Sequence, residues 1–147
     1  MKRSHRLKPI VEIAKKESAE ALNLVSQANT TLRQAEIQLD DLHHYKQEYL
    51  ARFRQDSVNA MSAQKVLDFR AFLVQLDQAI ASQQQLVKRH AEHLTQQQQA
   101  WQQIRKKEQS MNTLVDRYRQ EEVRDELKQE QRDSDERTTS LWHFRSK

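Results

Sequence analysis

The 147-residue chain contains no cysteine and no glycine, and its one proline is Pro9. Without cysteine there is no disulfide framework and no thiolate metal site, which fits a reducing, cytoplasmic setting. Without glycine, a globular α/β domain would lack the residue that most easily makes its tight turns. Long apolar runs are missing too. None approaches the ~20 residues of a membrane span, so direct membrane insertion is not expected. Met1-Lys2-Arg3 has the charge of a signal-peptide start, but no apolar segment follows it. A mean hydropathy of -1.04 is too polar for a compact multilayer core.

What is present is a heptad pattern. Leu7, Val11, Ala14, Ser18, Ala21, Val25, Ala28, Leu32, Ala35, Leu39 and Leu42 step by fours and threes. That keeps a seam on one face of an underwound helix, as in a coiled coil. Every seventh residue from Ala14 to Ala35 is alanine, which leaves shallow holes for bulky partners. A second run supplies them: Phe69, Leu73, Leu76, Ile80, Gln83, Val87, His90, Leu94, Gln97, Trp101, Ile104, Glu108, Met111, Val115 and Tyr118. An antiparallel pairing in which residue numbers sum to about 122 keeps both seams in register. Ala35 then faces Val87, Ala28 faces Leu94, Ala21 faces Trp101 and Val11 faces Met111.

The centre of that register falls near Met61, inside a stretch from Asp56 to Ser62 that interrupts both runs. Asn59 suits a left-handed helix end, and Ser62 suits a helix N-cap. The expected fold is all-α: a long two-helix antiparallel coiled-coil hairpin over 1–118, turning near 56–62. The first helix is expected from about Lys8 to Phe53, with Pro9 in its first turn. Residues 119–147 are expected to form a charged helical extension and a flexible, partly disordered tail. Leu141-Trp142-His143-Phe144 is unusual there, either a frayed terminus or a short docking motif.

Formal net charge is +4, with Lys2, Arg3, Arg6 and Lys8 crowded at the start. A basic-region zipper needs a long basic helix ahead of its heptads, whereas these heptads begin at Leu7. No aromatic platform or phosphate-binding glycine loop accompanies the charge, so nucleic acid is not an expected partner. Catalytic groups are equally sparse. His90 and His93 lack a third ligand at convincing spacing, and His90 occupies a seam position. His43 and His44 point in different directions on a helix. Glu12, Glu17, Glu36 and Glu48 have no cleft to desolvate them. The residues point to neither an enzyme nor a cofactor or metal site.

Apolar residues do exceed what the seam needs along one edge: Ile10, Leu24 and Tyr45 on the first helix, Phe72, Ala79, Leu86 and Leu114 on the second. Tyr45 and Phe72 are expected to approach near the turn, flanked by Leu42, Tyr49 and Leu76. The opposite edge, with Arg70, Asp77, Gln84, Gln98 and Arg105, is polar. Such an asymmetric patch is either padding for the core edge or a partner-binding surface.

The segment AEIQLDDLHHYKQEY, followed by a turn and by DFRAFLVQLDQAI with Trp101 further on, resembles the FliJ family of flagellar type III export proteins. The most specific elements are Leu42, Tyr45 and Tyr49, then Phe72, Leu76, Ala79 and Ile80, and the likeness covers residues 7–118. It implies a non-enzymatic stalk similar to the gamma subunit of rotary F-type ATPases. Such a stalk would engage the hexameric export ATPase FliI and couple it to the cytoplasmic region of the export gate protein FlhA. The family's gate-binding surface would fall on Gln38, Leu42, Tyr45, Tyr49, Phe72, Leu76 and Ala79, with Gln83 at its margin where relatives can carry histidine. Leu7, Val11, Met111 and Val115, with Lys2, Arg3 and Arg6, would enter or cap the ATPase ring. The ATPase regulator FliH and export chaperones are candidate further partners. The implied location is cytoplasmic, peripheral to the inner membrane at the flagellar base. The alternatives are a stalk of a virulence-type secretion system and a homodimeric coiled-coil scaffold.

Overall fold

A computed structural model describes residues 2–58 and 60–145. It consists of two helices, α1 (Arg3–Val58) and α2 (Ala63–Arg145), with no strand among the described residues. Packing divides the chain into two units. Ala21–Trp101 form one, and Met1–Glu20 with Gln102–Lys147 form the other.

In the unit Ala21–Trp101, α1 buries Ala21, Ala28 and Ala35, while Val25, Leu32, Leu39 and Leu42 are half-buried. From α2, Leu76 and Ile80 are buried, and Phe69, Leu73, Val87, Leu94 and Trp101 are half-buried. Small residues on α1 let the helices approach, and bulky residues on α2 fill the gap, as close packing requires. Each seam residue is covered from one side only, so no large side chain among those described is fully buried. Polar residues fix the antiparallel register. The Gln83 side-chain amide donates to the Ala35 carbonyl at 3.0 Å and to the Gln38 side-chain oxygen at 3.2 Å. Lys46, half-buried at a seam position, reaches Asp77 at 2.7 Å.

The second unit repeats the scheme. Val11, Ala14, Ser18 and Val115 are buried, and Leu7, Ile104, Met111 and Tyr118 are half-buried. The two runs of heptads therefore describe the buried face of both units.

At the connection, the expectation for Asn59 lies outside the described residues. Ala60 takes a left-handed conformation, with φ 58°. In a chain without glycine, alanine bears that cost, because its Cβ crowds the following carbonyl. Ser62 caps α2 as expected: its Oγ accepts from the Lys65 amide at 3.3 Å, and its carbonyl from Val66 at 3.2 Å.

Both helices are longer than expected. The region read as a partly disordered tail is helical to Arg145. Its low apolar content forbids a globular core but not a helix, whose backbone bonds are internal. Residues 119–137 are mostly Glu, Gln, Arg, Lys and Asp with no glycine or proline, and the first four have high helix propensity. A side-chain pair supports it further: Gln129 donates to Asp133 at 3.3 Å, four residues on. At the other end α1 begins at Arg3, so Pro9 lies inside the helix rather than in its first turn.

Two substitutions test this packing. Ala28, 5% exposed, should not tolerate bulk: Ala28→Phe is expected to cost ~1–3 kcal/mol. Gln27→Phe, one residue away on the exposed face, should cost far less, as read from denaturant midpoints. Ala60→Gly should stabilise the protein by about 0.5–1 kcal/mol by removing the Cβ clash, net of the entropy glycine adds to the unfolded chain.

Candidate functional site

Two clusters stand out, one in each unit. The first is built by spacing. Tyr45, Tyr49 and Phe53 recur every fourth residue on α1 and so share a face, while Phe69 and Phe72, three residues apart, share one on α2. The rings form a continuous ladder. Phe53 stacks on Phe69 at 3.8 Å, Phe69 stacks on Tyr49 at 4.8 Å, and Tyr49 meets Phe72 at 4.4 Å. Tyr45 closes the series edge-on to Phe72 at 6.0 Å. The edge-to-face pair of Tyr45 with Phe72 contributes beyond the area it buries.

The ladder runs from core to surface. Leu76 is 5% exposed and holds the helices together, and Leu42, Tyr49 and Phe72 are half-buried beside it. Tyr45, at 47% exposed, presents its ring and hydroxyl to solvent, with Ala79 and Gln38 also exposed. The structure thus brings Tyr45, Tyr49 and Phe72 together as the edge pattern requires. Gln83 is half-buried, and its amide is committed to Ala35 and Gln38. Phe53 and Phe69 were not singled out from sequence as members of this cluster. For Phe53 the signal was its fourfold spacing from Tyr45 and Tyr49, and for Phe69 its seam position at the register that faces Phe53.

The second cluster joins the start of α1 to α2. The Ser4 hydroxyl and amide both donate to the Glu122 carboxylate, at 2.6 and 3.0 Å. Lys2 pairs with Glu126, and the Arg3 guanidinium lies 5.6 Å from the centre of the Tyr118 ring. Arg6 lines the same surface with Glu121 and Asp125. Of the residues named from sequence for an ATPase contact, Lys2 and Arg3 are therefore engaged within the chain. Leu7, Val11, Met111 and Val115 belong to the seam beneath. Glu122 and Glu126 escaped sequence reasoning. The available signal was that Glu122 continues the heptad four residues after Tyr118.

These contacts set the local ionisation. The Ser4 hydroxyl, then the Ser4 amide, hold the Glu122 carboxyl below its ordinary 4.5, against the opposing effect of burial. The hydrogen bond that Lys2 donates to Glu126, followed by the Glu126 charge, raises the Lys2 ammonium above 10.5. His90 is half-buried in the seam, and no group of His, Asp or Glu that could hold a metal ion occurs among the described residues. No described helix is long and apolar enough to cross a membrane.

The family model described as "Flagellar FliJ protein" matches residues 2–147. The chain belongs to the FliJ family. No curated protein and no solved structure matches it significantly. FliJ membership makes this a flagellar export-related coiled-coil protein of a non-catalytic family, with a role in the flagellar export apparatus. The match extends the likeness read over residues 7–118 to the charged extension and to the first turn of α1.

Two outcomes follow from the geometry. Phe69→Ala, which removes the ring stacked between Phe53 and Tyr49, should destabilise by about 2–4 kcal/mol, whereas exposed Tyr45→Ala should cost under about 1 kcal/mol; urea titration separates them. For the second cluster, a depressed carboxyl stabilises the folded form above its unfolded value and loses that contribution as pH falls through the folded value. Amide protection at Arg6 should accordingly be level above pH 4.5 and decline at more acid pH. On the alkaline side, the raised Lys2 means its contribution is full below 10.5 and lost as pH rises beyond its folded value.

Proposed function

We propose that this FliJ-family chain is a non-enzymatic stalk of the flagellar export apparatus that engages the hexameric export ATPase and links it to the export gate. The gate contact is assigned to the exposed end of the aromatic ladder: Tyr45, the rim of Phe72, Ala79 and Gln38, with Leu42, Tyr49 and Leu76 beneath. Exposed Tyr45 carries this reading. Its ring is fixed against Phe72 and costs little conformational entropy to bury, which is the character of an interface anchor. Gln83 takes the role of positioning Gln38 through their hydrogen bond rather than contacting the gate itself.

The ATPase contact is assigned to the other unit, where Lys2, Arg3 and Arg6 sit above the seam residues Leu7, Val11, Met111 and Val115. The small alanines of α1 support a stalk role, since a closely packed helix pair suits a narrow passage. FliH and export chaperones would be further partners of this assembly, and the protein would act in the cytoplasm beside the inner membrane.

Tyr45→Ala with Phe72→Ala is expected to weaken binding to the purified cytoplasmic region of FlhA by at least about 30-fold and to abolish motility, while ATPase binding persists. Because Phe72 also touches Tyr49, circular dichroism of the variant accompanies the binding assay, and Tyr45→Ala alone provides the variant with least structural effect. Normal gate binding by both would overturn the assignment. Removing residues 1–6 should lower stimulation of the export ATPase, most at moderate salt, where exposed charges are only partly screened.

A further inference from the structure

The start of α1 is assembled against its own preferences. Four cations, Lys2, Arg3, Arg6 and Lys8, stand at a helix N-terminus, where the helix dipole favours anions, and the first turn contains no acidic residue. Pro9 has no N–H, so the His5 carbonyl loses its helical donor, and the residue before a proline disfavours helical backbone. The turn ahead of Pro9 is therefore weakly coupled to the helix behind it. Even so, it is helical, with the Arg6 amide bonded to the Lys2 carbonyl at 3.1 Å.

What compensates comes from the other helix. Glu122 accepts from the Ser4 amide, one of the N-terminal donors that a helix leaves without an internal partner. It also accepts from the Ser4 hydroxyl, and Glu126 takes Lys2. An N-terminal turn is thus capped and neutralised by carboxylates 118 and 124 residues away. Carboxylates from any other source could do the same.

We propose that the turn ahead of Pro9 is a latch, held shut by Glu122 and Glu126 and opened when an acidic partner surface takes Lys2, Arg3 and Arg6 in their place. Pro9 is the hinge: it lets the turn, Leu7 included, leave α2 without unwinding the seam from Val11 onward. The partner class is a protein surface rich in Asp and Glu. Identifying it with the export ATPase rests on the stalk reading above; the latch itself does not. In the closed state the basic end is masked by the chain's own acids, so removing those acids strengthens binding of an acidic partner instead of weakening the protein's contacts generally.

The test compares two full-length variants of equal net charge: Glu122→Gln with Glu126→Gln, and Glu130→Gln with Glu136→Gln, whose acids are exposed on the charged extension. Poly-L-glutamate is the acidic probe. A turn closed nine-tenths of the time lowers apparent affinity about tenfold, so the first variant should bind the probe about tenfold more tightly than the second. Amide exchange at Arg6 and Leu7 should quicken in the first variant, with the amides from Val11 to Ala21 unchanged. Equal probe affinity in the two variants, or equal exchange at Arg6, would overturn the latch whatever the ATPase does. Tighter probe binding without any ATPase binding by wild type or variant would leave the latch standing and remove the ATPase as its partner.

Discussion

Close approach of two helices across a column of small residues is the constraint on which this structure depends. Ala14, Ala21, Ala28 and Ala35 take one position of the α1 seam, and all four are buried. Alanine adds no side-chain entropy cost and favours helix, so it serves helix formation and packing at once. The bulk is concentrated on α2, and the asymmetry fixes register. A slip of one turn would put large against large and small against small, with overpacking in some layers and voids in others.

A pair of helices has no interior in the sense of a globular domain, so its stability is spread along the seam and its specificity comes from interruptions. Gln83 spends its amide on Ala35 and Gln38, and Lys46 reaches Asp77. Near the turn the seam thickens into the ladder from Phe53 to Tyr45. Packing is secured at its inner rungs, and the outermost ring, Tyr45, is left exposed. On the proposed gate contact, structure and recognition occupy successive rungs of one cluster.

The basic start of the chain changes meaning once it is seen folded. In sequence it is a block of cations ahead of the first heptad, naturally read as a free arm. In the structure its first turn is helical, its Ser4 is bound to Glu122, and its Lys2 and Arg3 are engaged by Glu126 and Tyr118. Electrostatic attraction to an acidic surface then competes with an internal interaction of the same kind. The affinity of this end for a partner is set by the difference between the two.

Periodicity made most of the fold legible. The seam residues, the antiparallel pairing, the turn near Met61 and the Ser62 cap all follow from spacing and local chemistry, because a heptad repeat and a capping serine act over a few residues. The approach of Tyr45 to Phe72 was legible for the same reason, once the register was known. Helix ends were not. Whether α1 begins at Arg3 or Lys8 depends on Glu122 and Glu126, more than a hundred residues away, supplying the cap that the local sequence lacks. The charged extension read as partly disordered because its composition excludes a core, yet helix needs only its own backbone bonds and compatible side chains. Sequence by itself determined which faces must meet. Only the tertiary structure decided which polar groups close the ends, because those partners are brought together by the pairing and not by the chain's local order.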